Sequence, residues 1–478
     1  MIDYESIAAN RSDLHVFKRG DVDDDSTTAL FLEAVEGRAF NKKGLDDAST
    51  WPAAVYRAQS ITAVQCVVRL CKEHRLKVCV RSGGHCWHAS WLRGPRSVLL
   101  DVGDLNHVDC DRLERTLSVG PGATGAKVLH SLPDSLFFPT GHCPSVALGG
   151  FVLGGGFGIG FTRYSMTSML VDSVQVVLGT GQILDAKENS GDELQQAVMD
   201  LLRGSHCAFP AVLTEIRFRN IPDRPRGVLS GSLVYHLDHY RSAVQMGLGI
   251  QFCGDYDATK VETTIIFRHQ RVTVALMIWA DTEEEARQLW SKYAEGCDRN
   301  TLLESPQDPL LVVPESVPSI LGSASPEGHH YTVCAHSGTP EVHNWSTNEI
   351  SDILEPIVDM WKDENCALPP ASHTLFVPTH RDTRTTTHDG KELAYGFTPS
   401  LQIMTYAIYT DPSMEEWYST LLETAHTRIS NSPAFMIEIP EGNVRKYNVA
   451  SRFHHDALQT ASEKAKLLDP HGLFHGLT

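Results

Sequence analysis

Two glycine-bearing segments, about sixty residues apart, carry the residue types in this chain that are best suited to hold a reactive cofactor. The first, Arg81–Ser90, reads RSGGHCWHAS and places His85 directly after a Ser-Gly-Gly turn. The second, Gly141–Gly158, reads GHCPSVALGGFVLGGGFG and places Cys143 just ahead of a glycine run. Glycine is needed where the backbone takes a positive φ, or where a flat or phosphorylated ligand comes against its amides. Because imidazole and thiolate are both nucleophiles, the two segments suit a cofactor tethered to the protein at two points.

The two segments resemble those of the berberine-bridge-enzyme-like oxidases, which are FAD-linked flavoproteins with a vanillyl-alcohol-oxidase-type (PCMH-type) FAD-binding domain. In that family a histidine in a Ser-Gly-Gly-His element and a cysteine in a Gly-x-Cys-Pro element often hold the FAD. The resemblance therefore implies FAD bound covalently through both His85 and Cys143. Two tethers would raise the reduction potential of the flavin and favour hydride abstraction from poor donors.

The resemblance also implies which residues surround the FAD. They are the attachment residues His85 and Cys143, their neighbours Arg81, Ser82, Gly83, Gly84, Ser145 and Val146, the glycines Gly149, Gly150, Gly154, Gly155 and Gly156, and Asp172. Val146 is a small residue at a place where relatives leave room for dioxygen beside the flavin, which implies an oxidase. An ordinary core valine is the competing interpretation. Cys86 and His88 are competing nucleophiles that the family pattern does not use.

Three places depart from the family pattern. Phe151 stands where relatives usually carry a histidine that stabilises negative charge on the reduced flavin. The segment Arg203–Ile216, RGSHCAFPAVLTEI, replaces a glycine-rich stretch that relatives use near the adenine and the pyrophosphate. The segment Met436–Asn443, MIEIPEGN, replaces a Tyr-x-Asn-Tyr element and so lacks the tyrosine often used as a base. These changes affect the assignment of the base more than the assignment of FAD.

The candidates for the catalytic base lie at three places in the sequence. Glu438 is a carboxylate on an otherwise apolar strand, where desolvation would raise its pKa towards useful values. Tyr406 and the neighbouring Tyr409 lie on a strand from which relatives aim side chains at the flavin. His380 matches a Phe-x-His-Arg element ahead of that strand. A structural role is the competing interpretation for each residue. The histidines of this region lack the spacing of a structural zinc site, so no metal is expected.

Composition and charge argue against several classes of function. A hydrophobic content of 42% with 21% charged residues is typical of an ordinary folded protein. A formal net charge of −18 argues against nucleic acid or an anionic membrane surface as a partner. The polar N-terminus has no secretory-signal pattern, and no apolar run reaches the roughly 18 residues of a membrane span. The 11 cysteines form no regular framework. We therefore expect a cytoplasmic protein, while a secreted form whose signal had been removed would look the same.

Hydrophobic periodicity predicts a mixed α+β protein. Ser60–Leu76 has the spacing of a capped amphipathic helix, and Lys260–Phe267 with Arg271–Ala280 predict a hairpin. A Pro- and Gly-containing break at Asn220–Gly227 indicates a domain boundary. We expect an FAD-binding domain over residues 1–222 (core about 47–222), a substrate domain with an antiparallel sheet backed by helices over 223–430, and a C-terminal segment over 431–478 that returns to the FAD domain.

The resemblance implies an oxidase that removes hydride from a small organic substrate, with dioxygen as electron acceptor and hydrogen peroxide as a product. A member with an altered base region is similar to those that tailor natural products, so we expect a biosynthetic oxidation in secondary metabolism. Two alternatives stay open. One is a redox-silent member that directs a cyclisation or pericyclic reaction, and the other is a carbohydrate oxidase.

Overall fold

Three sheets organise the part of the chain that the computed structural model describes. The described residues are 2–19, 25–39, 41, 45, 47–86, 89–252, 257–317, 331–339, 346–363, 368–379, 393–394, 400–430, 436–438, 455–474 and 476. The first nine described strands lie in two smaller sheets, and the later ones lie in one large antiparallel sheet. Helices pack on these sheets, which agrees with the predicted α+β class.

The first sheet has the order β1-β2-β4-β3 and packs on a capped helix. Its elements are β1 (Leu14–Lys18), α1 (Asp25–Glu36), β2 (Ala54–Ala58), α2 (Ile61–His74), β3 (Lys77–Arg81) and β4 (Ser97–Asp101). Helix α2 begins after Ser60, whose hydroxyl accepts a hydrogen bond from the Ala63 amide at 3.1 Å, as an N-cap should. Its Val64 and Val67 side chains are fully buried against the sheet. The helix predicted over 60–76 is therefore present with slightly shorter bounds.

The second sheet has the order β5-β6-β9-β7-β8. Its elements are β5 (Val108–Asp111), β6 (Thr116–Val119), α3 (Gly125–Ser131), α4 (Leu148–Leu153), α5 (Phe161–Tyr164), β7 (Val171–Leu178), β8 (Ile183–Lys187), α6 (Glu193–Leu202) and β9 (Ala211–Phe218). The first glycine segment begins at the last residue of β3, in the first sheet. The second glycine segment contains α4. The two small sheets thus support both segments.

The large sheet has the order β13-β10-β12-β11-β15-β16-β14-β17. Its elements are β10 (Gly227–His236), α7 (Tyr240–Phe252), β11 (Val261–Arg268), β12 (Arg271–Ala280), α8 (Glu283–Glu295), β13 (Leu310–Leu311), β14 (Tyr331–Thr339), α9 (Thr347–Ile353), α10 (Glu355–Lys362), β15 (His373–Pro378), β16 (Leu401–Tyr409), α11 (Glu415–Ser430) and β17 (Met436–Glu438). The hairpin predicted from the sequence is β11 with β12. One face of the sheet packs on helices, and Leu401, Ile403 and Ala407 lie on that face. Alternation along β16 puts Tyr406 on the opposite face.

The last described segment, residues 455–474, packs on the N-terminal part of the chain. Helix α12 (His455–Leu468) lies beside α6, where Lys464 pairs with Asp200 at 2.7 Å. Beyond it, the Val78 amide of β3 donates a hydrogen bond to the Leu473 carbonyl at 2.9 Å. None of the helices in the described ranges is long and apolar enough to cross a membrane.

Polar bonds join the N-terminal part, residues 2–221, to the large-sheet part, residues 227–438, at several places, and two of them involve Glu262 and Asn41. The Glu262 carboxylate accepts the Phe161 amide N–H at 2.8 Å. The Asn41 side chain bonds both backbone groups of Thr332, donating to its carbonyl at 2.9 Å and accepting from its amide at 3.0 Å. The face of the large sheet opposite the helices is called the free face below. Because hydrogen bonds are directional, these contacts fix how it lies over the N-terminal part.

Glu262 gives the stability of this contact a specific pH dependence. Burial raises the pKa of Glu262 to about 8, above the value of about 4.3 for an unfolded glutamate. The folded state therefore binds this proton more tightly between those values, and the contribution of the residue to stability falls as the pH rises through that window. Relative to Glu262→Gln, we expect the wild-type unfolding free energy to fall from about pH 5 to about pH 8, by at most about 1.4 kcal/mol per pH unit. Urea unfolding followed by tryptophan fluorescence measures this difference.

The control for that experiment is Glu284→Gln, which removes an exposed carboxylate from α8. It should follow the wild-type pH profile, because an exposed surface group contributes little to stability. Parallel profiles for the wild type and Glu262→Gln would contradict the assignment of the pH dependence to Glu262.

Candidate cofactor site

The first glycine turn is anchored by a buried arginine. Arg81 ends β3, is 2% exposed, and bonds the Asp101 carboxylate through Nη2 at 2.7 Å and through Nε at 3.2 Å. Its remaining bonds go to the Ala34 and Val35 carbonyls of α1, at 2.7 and 2.5 Å. The structure therefore places Arg81 behind the turn, where it ties β3 to β4 and α1, rather than on an open surface of the site.

The glycines of this turn are required by close packing. Gly84 has φ +74°, and a Cβ at this position would overlap the Arg38 carbonyl oxygen. A Cβ on Gly83 would lie 2.7 Å from the Cβ of Ala147, the residue that precedes α4. Both positions exclude a side chain, so the turn can approach the second segment closely.

The two glycine segments meet at hydrogen bonds. His85 Nε2 lies 2.9 Å from the Ser145 hydroxyl. The Gly150 amide donates to the Ser82 hydroxyl at 3.3 Å. The loop that carries Cys143 is closed by a bond from the Val146 amide to the Cys143 carbonyl at 3.2 Å. His85 and the loop that carries Cys143 are therefore brought to one place, although about sixty residues separate them in the sequence.

Gly150 has no packing reason to be a glycine. It is exposed within α4, and the nearest atom to a Cβ built there would be Ser82 Oγ at 3.8 Å. Glycine inside a helix costs stability relative to alanine, so a bare backbone at this exposed position fits a ligand that lies against it. Past α4, Gly154 is the C-cap, and Gly155 and Gly156 take φ values of +100° and +76° in the turn that follows. Two half-buried nucleophiles beside this uncovered backbone fit FAD.

Phe151 and Asp172 make structural contacts. A Cβ on Gly158 would lie 3.0 Å from Phe151 Cζ, so the ring packs on bare backbone at the edge of the core. Val146 lies close to the same region, since a Cβ on Gly141 would be 3.2 Å from Val146 Cγ1. Asp172 is on β7 and pairs with Arg219 at 3.1 Å. The described contacts bring Asp172 to none of the other candidate residues.

Two of the base candidates, Glu438 and Tyr406, lie on the strands β17 and β16 of the large sheet. Glu438 lies opposite His336, and His336 lies opposite Met404. Residues that oppose each other across strands share a face, and Tyr406, two positions from Met404, lies on that face as well. His380 is outside the described residues. Tyr409 belongs to the core beneath the helices, on the other face.

His373 is a neighbour of Tyr406 that sequence analysis assigned no role at this site. It lies directly opposite Tyr406 in the β15–β16 ladder, and the two ring centroids are 5.2 Å apart. His373 Nδ1 lies 2.9 Å from the Ala371 carbonyl; because a carbonyl only accepts hydrogen bonds, Nδ1 carries the proton and Nε2 is the acceptor. Burial lowers the pKa of His373, which favours this neutral imidazole.

Sequence analysis also missed Glu262 and Asn41, which join the two parts of the chain. Glu262 had a signal, because it is a charged residue inside the apolar strand Val261–Arg268, the same pattern that indicated Glu438. Asn41 had no signal in the sequence around it. Its partner Thr332 is almost 300 residues away and is identified only by the fold.

Comparison with known proteins agrees with this geometry. Residues 52–187 match the family model described as FAD binding domain. This part of the chain is similar to FAD-binding domains. The match spans β2 through β8 and so contains both glycine segments. It confirms the prediction of an FAD-binding flavoprotein.

Curated relatives extend the match over the same region. FAD-linked oxidoreductase ptmO of Penicillium ochrochloron is 30% identical over 191 residues, which are 40% of this chain and 41% of the relative. Berberine bridge enzyme-like 2 of Arabidopsis thaliana is 29% identical over 203 residues, which are 42% of this chain and 37% of the relative. The chain thus matches about two fifths of the length of these relatives. They confirm the resemblance to FAD-linked, berberine-bridge-enzyme-like proteins.

The whole described fold has a solved counterpart. The structure of an Acremonium strictum glucooligosaccharide oxidase has a TM-score of 0.76 and 15% sequence identity, and the alignment covers 100% of this chain and 98% of that one. At this identity the likeness concerns the fold alone. It confirms the predicted class, a PCMH-type FAD-binding domain joined to an antiparallel sheet backed by helices.

Two glycine substitutions separate packing from ligand contact. Gly84→Ala should lower the unfolding free energy by more than about 1–2 kcal/mol, because the left-handed backbone and the nearby Arg38 carbonyl both exclude a Cβ. Gly150→Ala should leave stability unchanged or raise it by up to about 1 kcal/mol, since alanine is the better helix former. It should nevertheless lower the flavin content, because its methyl group occupies the ligand side of α4.

Urea unfolding and the ratio of flavin to protein absorbance measure these two effects. Full flavin content in Gly150→Ala would mean that FAD does not lie against this helix. A Gly84→Ala protein as stable as the wild type would contradict the packing at the first turn.

Proposed function

We propose that the protein is an FAD-dependent oxidase that oxidises a small organic substrate and holds its FAD covalently through His85 and Cys143. The observation that carries the proposal is the 2.9 Å contact between His85 Nε2 and Ser145, which brings the imidazole to the loop of Cys143. The FAD-binding domain and the relatives named FAD-linked oxidoreductases support the redox class. FAD would accept a hydride from the substrate and pass the electrons to dioxygen, giving hydrogen peroxide.

Each candidate side chain has a task in this proposal. His85 and Cys143 would hold FAD at the junction of the two glycine segments, and the exposed backbone at Gly150 would lie against it. Tyr406, on the free face of the large sheet, would orient the substrate and exchange a proton with it. His373 would fix the Tyr406 ring and present an unprotonated Nε2 to the same space. Glu438, on the strand β17 that pairs with β14, is the second candidate base.

Dioxygen as acceptor and a role in natural-product biosynthesis belong to the same proposal. Val146, half-buried beside the bare backbone of Gly141, supports access of a small molecule because its side chain is short. A carbohydrate oxidase is the second candidate, favoured by the full-length fold shared with a glucooligosaccharide oxidase. An oxygen electrode with a panel of phenols, tertiary amines and oligosaccharides separates the candidates. Failure of every compound to reduce the flavin would overturn the oxidase and favour the redox-silent alternative.

Attachment of the flavin is tested by single and double substitution. After denaturation, the wild type, His85→Ala and Cys143→Ala should each retain FAD mass, because one link is enough to hold it. The double variant should retain none. Cys86→Ala is the matched control, since Cys86 is next to His85 but its thiol lies 3.1 Å from the Ser90 hydroxyl. Intact-protein mass spectrometry reads the result, and retention of FAD by the double variant would show that another residue forms a link.

The role of Tyr406 is tested against a tyrosine of the same strand. Tyr406→Phe should slow anaerobic flavin reduction by about 10²-fold or more, because a positioned proton donor or acceptor contributes about 10²–10⁴-fold. Tyr409→Phe should leave the rate within a few-fold, since Tyr409 is buried on the helix side of the sheet. Stopped-flow absorbance with a compound that reduces the wild type measures both rates. Equal rates for Tyr406→Phe and the wild type would remove this residue from the reaction.

A further inference from the structure

The β11–β12 hairpin ends in a pair of like charges. Arg268 and Arg271 are the last opposed residues of the ladder, joined by the turn His269–Gln270. Like charges directly opposite each other on neighbouring strands destabilise a sheet. The chain has a net charge of −18, so acidic residues are abundant, yet neither arginine forms an ion pair within the described ranges. Within the described ranges, the repulsion of this pair is therefore not offset by an ion pair.

Hydrogen bonding at Arg268 shows the same deficit. Its Nε is buried and has no hydrogen-bond partner among the described residues. A buried N–H without an acceptor costs about 1–3 kcal/mol. A carboxylate acceptor near this end of the sheet, Asp238, is held by Lys362 at 2.7 Å.

Both arginines line a cavity of about 500 Å³ at this end of the sheet. That volume lies within the usual range for small-molecule sites, about 300–1,000 Å³. The described lining contains no acidic residue, and its apolar part includes Leu303, Leu368 and Pro369. Leu303 is 49% exposed, which leaves an apolar surface open beside the charges. The cavity therefore combines two cations with an apolar wall.

We propose that this cavity binds a small organic anion, in which a carboxylate or phosphate group lies between Arg268 and Arg271 and an apolar body lies against Leu303, Leu368 and Pro369. Guanidinium groups bind such oxyanions in bidentate geometry. The anion would remove the repulsion across the hairpin and supply an acceptor for the Arg268 N–H groups. The inference does not depend on the proposed oxidase function.

Calorimetric titration of the flavin-loaded protein tests the site with octanoate and octyl phosphate as probes. Inorganic phosphate and octanol supply the charged part and the apolar part alone. We expect octanoate or octyl phosphate to bind at least tenfold more tightly than inorganic phosphate or octanol. The substitution Arg271→Gln should weaken that binding at least tenfold. Arg271 is exposed, so its substitution should not unfold the protein. Which probe binds more tightly separates carboxylate from phosphate ligands.

Arg287→Gln is the matched charge control, because Arg287 lies on α8 and pairs with Glu283 at 2.7 Å. It should bind the probes as the wild type does. Without ligand, Arg271→Gln should melt at the wild-type temperature or above, since it relieves the arginine pair. Equal affinity of Arg271→Gln and the wild type, or no binding of either amphipathic anion, would overturn the proposal. If the probes bind at the flavin instead, Arg271→Gln and the wild type will bind them with equal affinity, which also overturns the proposal.

Discussion

The candidate site depends on the close approach of two backbone segments, which a glycine at the contact makes possible. Gly83 lies against Ala147, and a Cβ there would come within 2.7 Å of the alanine methyl carbon. The Gly149 amide meanwhile donates to the Pro121 carbonyl at 2.8 Å, which fixes the start of α4. A side chain on Gly83 would force these surfaces apart. The 2.9 Å contact of His85 with Ser145 exists because no such side chain is present.

A second constraint acts between the two parts of the chain. An apolar contact alone, such as that of Phe137 with Trp279 at 5.3 Å between ring centroids, would allow the surfaces to slide. The bonds of Glu262 to Phe161 and of Asn41 to Thr332 do not, because each has a preferred direction and length. They join opposite ends of the strand set β11-β15-β16-β14 to the N-terminal part. Tyr406 lies on β16, between the strands that carry these two contacts, so both contacts help to fix its position.

The sequence allowed prediction of features that are local in the chain and missed those that depend on distant partners. The capped helix α2, the β11–β12 hairpin and the two glycine segments are each encoded within about twenty residues. Arg81 was assigned to the cofactor because of its place in the motif, but its partner Asp101 reaches it only through the parallel pairing of β3 with β4. Long-range pairing of this kind leaves no periodic trace in a single sequence.

Phe151 is an apolar ring at a position where the family resemblance implies a histidine. The Phe151 ring packs on the bare backbone of Gly158, so it stabilises the glycine turn but offers no N–H group. In the proposed function, the free face of the large sheet supplies a donor to charge that develops at the flavin. The neutral His373 ring does not supply it, because its one N–H lies against the Ala371 carbonyl, and burial lowers the pKa of the ring. Tyr406, which can both donate and accept, is the group on that face whose chemistry meets the requirement.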